Sequence, residues 1–122
     1  MFVKECVTWQ MVEEFISKVI KEYEGVKLSG VYGLPRGGLI FAVMLSNRLH
    51  IPMLSAPCQD CLIVDDICDT GESLLHYMKN SSSPDKPQWY TVTMYYKDNE
   101  LGVKPNFYMH NKEDKWIVFP WE

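Results

Sequence analysis

The chain has 122 residues and a formal net charge of −4, with 47% hydrophobic and 23% charged residues. This length fits a single domain over residues 1–122, and the acidic balance argues against nucleic-acid binding through a broad basic surface. No apolar run approaches the roughly 20 residues that span a bilayer, and no signal-peptide pattern opens the chain, so we expect a cytoplasmic protein without a membrane partner.

The first part of the chain predicts a helix, a strand and a second helix. Apolar residues recur at helical spacing over residues 9–23, and Thr8 can cap this helix. Residues 28–32 predict a strand that ends at a glycine-rich turn, residues 33–38. Residues 39–49 are largely apolar and predict a helix that is well buried.

The second part predicts further strands and one more helix. The strand candidates are short segments with apolar, β-branched or aromatic residues: 53–55, 61–64, 89–96, 107–109 and 116–119. A helix is expected over residues 74–78, and the composition of residues 81–87 predicts a loop. Strands that alternate with helices indicate an α/β fold with a mostly parallel sheet flanked by helices on both faces. Such sheets bind ligands beyond the carboxyl ends of their strands.

Two of the four cysteines, Cys58 and Cys61, have the spacing of a metal or redox pair. No second pair accompanies them, and Cys61 enters an apolar run, whereas a thioredoxin-like pair would open a helix. We therefore favour reduced intracellular thiols, with a zinc or redox role as the alternative.

Residues 62–73 read LIVDDICDTGES and join an apolar run to an acidic cluster and a small, hydroxylated turn. A solvated turn, in which Asp69 or Thr70 caps the next helix, accounts for one aspartate or two. It does not explain why Asp65 and Asp66 are consecutive at the end of a buried strand, where like charges raise each other's pKa. These two aspartates indicate a ligand.

Three familiar motifs do not fit this stretch. An EF-hand loop counted from Asp65 would need glutamate where His76 stands, and a Walker loop would need Gly-Lys-Ser or Gly-Lys-Thr. A dehalogenase-type phosphatase would need Asp-x-Asp, which the spacing from Asp66 to Asp69 excludes. A sugar phosphate does fit, because its hydroxyls donate to carboxylates and its phosphate accepts from donors at a helix N-terminus. Magnesium, which prefers oxygen ligands, fits between carboxylates and a pyrophosphate.

The same stretch resembles the phosphoribosyl-pyrophosphate (PRPP) signature of type I phosphoribosyltransferases: an apolar strand, two acidic residues, two spacers and Asp-Thr-Gly. The resemblance implies that family's fold. It also implies that Asp65 and Asp66 hold the ribose and Mg²⁺, and that Asp69 is the general base near purine N7. PRPP or nucleotide binding is implied for the turn that follows, namely Thr70, Gly71, Glu72 and Ser73.

Two further segments extend the resemblance. Residues 31–39 are similar to the family's pyrophosphate loop, in which Arg36 would supply charge and Gly37 and Gly38 would bring amides to the anion. Residues 116–122 resemble the closing segment of xanthine-guanine phosphoribosyltransferases. There Trp116 would stack on the base and the backbone of Ile117 would read its edge, while Lys97 would contact the oxygen at purine C6.

The activity that the resemblance implies is transfer of phosphoribose from PRPP to guanine, xanthine or hypoxanthine, with release of pyrophosphate. The implied cofactor is Mg²⁺, the implied partners are PRPP and a purine base or nucleotide, and the implied assembly is a homodimer or higher homo-oligomer. Two features depart from the family. Only residues 56–60 stand where active members carry a long flexible hood, and Val118 and Phe119 replace residues that are commonly polar. The missing hood keeps open an alternative, a weak or inactive module that senses PRPP or a nucleotide.

Overall fold

The computed structural model describes residues 3–78 and 88–122. In chain order its elements are β1 (Lys4–Cys6), α1 (Trp9–Glu22), β2 (Val31–Gly33), α2 (Gly37–Leu49), β3 (Cys61–Cys68), α3 (Glu72–Met78), β4 (Trp89–Tyr96), β5 (Phe107–Asn111) and β6 (Trp116–Val118). None of the helices in these two ranges has the length and apolar character needed to cross a bilayer.

Four parallel strands form the central sheet, in the order β2-β3-β4-β5. Alternation along β3 creates two cores: Leu62 and Val64 pack with α1 and α2 on one face, whereas Cys61 and Ile63 pack with α3 on the other. Helices therefore cover both faces, and the predicted α/β fold is confirmed.

A separate two-stranded parallel sheet joins the two ends of the chain. In it, Glu5 of β1 pairs with Ile117 of β6. Glu5 also accepts hydrogen bonds from the hydroxyl of Tyr95 in β4 and from Lys115. These contacts fasten the residues just before and within β6 to the central sheet.

Several predicted boundaries were wrong. β2 begins only at Val31, and of the segment 53–55 only Met53 pairs, through an isolated bridge to Val31. β3 continues to Cys68, because its pairing with β4 persists through this region, so Asp65 and Asp66 lie inside the strand rather than after it.

The second helix is less buried than its sequence predicts. α2 begins at Gly37, and its outer face leaves Leu39 39% and Val43 53% exposed, because only one side of the helix meets the sheet and α1. Strand β1 was not predicted. The loop predicted over residues 81–87 lies outside the described residues.

Candidate active site at the carboxyl ends of β2 and β3

The two motifs meet at neighbouring strand ends, as the parallel sheet predicts. A Cβ atom on Gly37 would lie 2.2 Å from Oδ2 of Asp66, and one on Gly38 would lie 2.2 Å from the carbonyl oxygen of Val64. Only hydrogen fits at either position, so the turn after β2 packs directly against β3. Arg36 immediately precedes α2 at the same edge.

Successive side chains of β3 place the two neighbouring aspartates in different surroundings. Oδ1 of Asp65 accepts the Asp66 amide at 2.8 Å, and Oδ1 of Asp66 accepts the Ile67 amide at 2.8 Å. Asp65 is buried, with 8% exposure, whereas Asp66 is half-buried. Burial, and then the neighbouring Asp66 carboxylate, raise the pKa of Asp65 to about 8. Asp65 is therefore largely protonated at neutral pH.

A cavity of about 360 Å³, here called the Asp69 cavity, lies between the end of β3, the start of α3 and β6. Trp116, 59% exposed, and the buried Ile117 form its apolar wall. The predicted site residues that line this cavity are Asp66, Asp69, Thr70, Gly71, Ser73, Trp116 and Ile117. A planar ligand could stack on the indole with one edge toward the Asp69 carboxylate.

A second cavity, of about 570 Å³ and here called the Arg36 cavity, adjoins the first. Arg36 and Gly37 line it on one side and Trp121 on the other. Asp66 and Glu122 line both cavities, so the two are neighbours. The arrangement places a cationic, amide-rich pocket on one side of a carboxylate and an aromatic-walled pocket on the other.

Four predicted site residues lie outside both cavities: Gly38, Asp65, Glu72 and Lys97. Glu72 and Lys97 line a separate depression, which Asp69 and Thr70 also line. Nζ of Lys97 is 3.0 Å from Oδ1 of Asp114, and this ion pair raises the pKa of Lys97. Glu72 begins α3, and its amide donates to Oγ1 of Thr70 at 3.3 Å. Asp65 lines neither cavity because it is buried in β3.

The sequence analysis did not identify Lys112, which does line the Asp69 cavity. Its Nζ lies 3.0 Å from Oδ2 of Asp69, and only 13% of its side chain is exposed. The only sequence signal was its place just after a weak strand candidate and shortly before Trp116. The register of β5 against β4 brings it to Asp69, and a single sequence does not reveal that register.

The short connector where the family carries a hood lies away from both cavities. The carbonyl of Asp60 accepts the Ser29 amide at 3.0 Å, and the Asp60 amide donates to the carbonyl of Gln88 at 2.9 Å. These bonds hold residues 56–60 near the amino-terminal ends of β3 and β4, opposite the carboxyl ends that form the site. Within the described ranges, no group of three or more histidine, cysteine, aspartate or glutamate side chains is arranged to hold a metal.

Comparisons with known proteins agree with this architecture. No protein-family model matches the chain. The structure is similar to the crystal structure of a purine phosphoribosyltransferase from Pyrococcus horikoshii, with 30% sequence identity and a TM-score of 0.80, covering 98% of this chain and 94% of that one.

Two further proteins are more distant in sequence. A Helicobacter pylori xanthine-guanine-hypoxanthine phosphoribosyltransferase has a TM-score of 0.75 at 18% identity, covering 98% of this chain and 93% of that one. A xanthine-guanine phosphoribosyltransferase of Chromohalobacter salexigens is 22% identical over 138 residues, covering 95% of this chain and 82% of its own length.

Proposed function

Because this chain belongs to the type I phosphoribosyltransferase family, we propose that it transfers phosphoribose from PRPP to a 6-oxopurine and releases pyrophosphate. One observation carries the proposal: Asp66 lines both the Arg36 cavity and the Asp69 cavity. PRPP carries a pyrophosphate, a hydroxylated ribose ring and the carbon that the base attacks. Arg36 suits the pyrophosphate, Asp66 suits the ribose hydroxyls, and the Asp69 cavity suits the base.

In the proposed reaction a purine nitrogen attacks C1′ of PRPP as the bond to pyrophosphate breaks. Arg36 and the amide of Gly37 stabilise the negative charge of the leaving pyrophosphate. The Gly38 amide, which the resemblance assigned to the same anion, already donates to the carbonyl of Leu34 at 2.8 Å, so Gly38 serves the close packing of the turn against β3 instead. Asp69 accepts the proton that the purine loses at N7, and Trp116 holds the ring by stacking. The turn formed by Thr70, Gly71, Glu72 and Ser73 binds the 5′-phosphate through its amides and hydroxyls.

The two β3 aspartates differ in their suitability for magnesium. Asp66 lines both cavities, and one of its oxygens remains free of the Ile67 amide, so it suits a hard cation that also binds phosphate oxygens. Asp65 is buried and its pKa is raised, so we assign it to supporting Asp66 and the ribose rather than to direct metal contact. Magnesium would neutralise part of the pyrophosphate charge.

The direct test incubates the protein with PRPP, Mg²⁺ and each of guanine, xanthine and hypoxanthine, and follows nucleotide formation. We expect product with one of these bases or more. Asp69→Asn should lower turnover by about 10²- to 10⁴-fold, because it removes the proton acceptor while it keeps the size of the side chain. Its affinity for nucleotide should stay within a few-fold. No product with any base, under conditions in which a known family enzyme works, would refute the proposal.

The bare connector supports a second candidate, a module that binds PRPP or a nucleotide and turns over slowly or not at all. Residues 56–60 are tied to Ser29 and Gln88 and so do not cover the site. A reacting centre without a cover in their place would be open to water. Calorimetry with GMP and PRPP separates the two candidates. Tight binding without turnover favours the sensing module, and absence of binding excludes both.

We also propose a homo-oligomer, in line with the family. The exposed apolar side chains of Leu39 and Val43 on α2 support it, because a second copy could cover them. Sedimentation of the wild type and of Val43→Lys tests this assembly. A monomeric wild type at micromolar concentration would contradict it.

A further inference from the structure

The loop that follows β4, residues 97–103, lies against the turn over residues 69–71, here called the Asp69 turn. The Lys97 amide donates to the carbonyl of Cys68 at 2.9 Å, so the loop begins beside the last residue of β3. Val103, 4% exposed, ends the loop, and its carbonyl accepts the Cys68 thiol at 3.7 Å. The loop therefore contacts the residue just before the Asp69 turn at two points.

The same loop contacts the last residue of the Asp69 turn. Gly71 has a φ of +86°, in the left-handed region, and a Cβ atom on it would lie 2.8 Å from Cβ of Val103 and 2.9 Å from Oδ1 of Asn99. Both distances are shorter than a side chain tolerates, so the loop packs directly against the backbone of Gly71. The loop thus supports the Asp69 turn at both of its ends.

One side chain, that of Asn99, holds the loop in shape. Its Nδ2 donates to the carbonyls of Lys97 at 3.2 Å and Val103 at 2.8 Å, and its Oδ1 accepts the Val103 amide at 3.0 Å. Both hydrogens of the side-chain amide are used within the loop, so Asn99 has no donor left for a ligand, although it lines the same depression as Asp69 and Thr70. Its removal would take a partner from three backbone groups at once.

We propose that Asn99 is a positioning residue, which holds residues 97–103 and, through them, keeps the Asp69 turn in the arrangement that a nucleotide needs. This inference rests on the proposed function for the roles of Asp69 and Thr70. A ligand that binds a turn already held in place loses less affinity to the ordering of that turn. Asn99 therefore strengthens nucleotide binding without a contact to the nucleotide.

Equilibrium binding of IMP, measured by calorimetry, tests the inference without requiring turnover. Asn99→Ala should weaken IMP binding by about tenfold or more, because the ligand then has to order the Asp69 turn. Asn106→Ala is the matched control: Oδ1 of Asn106 accepts the Thr91 amide at 2.8 Å near the amino-terminal ends of β4 and β5, opposite the site. It also removes an asparagine that bonds the backbone, and its affinity for IMP should stay within about threefold of wild type.

Amide hydrogen exchange in the ligand-free protein gives a second readout. In Asn99→Ala the Lys97 amide, which donates to Cys68, should exchange about tenfold faster or more relative to the Leu62 amide, which donates to the carbonyl of Gly30 in the central sheet at 3.0 Å. A general loss of stability would speed both amides together, so their ratio reports the local opening of the loop.

Four outcomes overturn the inference: no IMP binding by the wild type, IMP affinity of Asn99→Ala within about threefold of wild type, equal weakening in Asn99→Ala and Asn106→Ala, or an unchanged exchange ratio. If Asn99→Ala does not fold, Asn99→Ser replaces it, with circular dichroism as the check. The proposed transferase activity fails separately, when the wild type binds IMP but no base yields a nucleotide.

Discussion

Replacement of Asp65 by asparagine should stabilise the protein at neutral and alkaline pH. The pKa of Asp65 is about 8 in the folded protein, against a reference value of 3.8. The folded state thus holds a proton that the unfolded chain loses as the pH rises from about 4 to about 8. The free energy of unfolding of the wild type therefore falls across this window as far as Asp65 contributes to it.

The size of the effect follows from the same shift. One pKa unit corresponds to about 1.4 kcal/mol. Since pH 7 lies roughly 3 pH units above the reference pKa and below the pKa in the folded protein, keeping the Asp65 carboxyl protonated on folding costs on the order of 4 kcal/mol at pH 7. The asparagine side chain keeps an oxygen that can accept the Asp66 amide, and it removes the ionisation. We expect Asp65→Asn to gain about 2 to 4 kcal/mol at pH 7 and almost nothing near pH 4.

Urea unfolding at several pH values between 4 and 8.5, at constant ionic strength, measures this difference. The free-energy gap between variant and wild type should widen with pH and level off above about pH 8. Glu24→Gln is the matched control, because it removes one carboxylate from an exposed position, and its curve should run parallel to that of the wild type. A pH-independent gap, or an Asp65→Asn variant less stable than wild type at pH 8, would refute the reasoning.

Two further substitutions separate the structural from the ligand-binding parts of the site. Gly38→Ala should lower the free energy of unfolding by about 1 to 3 kcal/mol although alanine favours helices, because its Cβ would lie 2.2 Å from a backbone carbonyl; a stabilised variant in urea unfolding would contradict this. Trp116→Ala should raise the KM for the base about tenfold or more and cost less than about 1 kcal/mol of stability, since the side chain is 59% exposed. Trp9→Ala, 53% exposed and absent from the Asp69 cavity lining, should leave that KM within about threefold, and an equal rise in both variants would remove Trp116 from its assigned role.

Much of the fold could be predicted from the sequence because its signals are local. Thr8 caps α1 and accepts the Met11 amide, and β4 has the predicted bounds, Trp89–Tyr96. β1 was missed because three residues give no local periodicity and its partner, β6, lies at the other end of the sequence. Local patterns do not contain pairings of such long range.

In the candidate site, too, the features that follow from local sequence were predictable and those that depend on strand pairing were not. The closeness of Arg36, Gly37 and Asp66 was predictable, because the carboxyl ends of parallel strands share one edge. The sequence indicated that Asp65 and Asp66 raise each other's pKa, but it did not indicate which of the two carboxyls is buried. That depends on how far β3 continues. The position of Lys112 beside Asp69 depends on strand register, and Lys97 pairs with Asp114, which the sequence did not indicate.

The small β1–β6 sheet has a consequence for how occupancy of the site could be detected. The wall formed by Trp116 and Ile117 belongs to a strand whose partner is β1, so the first and last strands can open together, without opening of the central sheet, once the contact of Glu5 with Tyr95 breaks. A ligand stacked on Trp116 opposes that opening. Amide hydrogen exchange in β1 should therefore slow when a base binds, although no residue of β1 lines the Asp69 cavity. The segment Lys4–Cys6 would thus report binding of the proposed purine ligand.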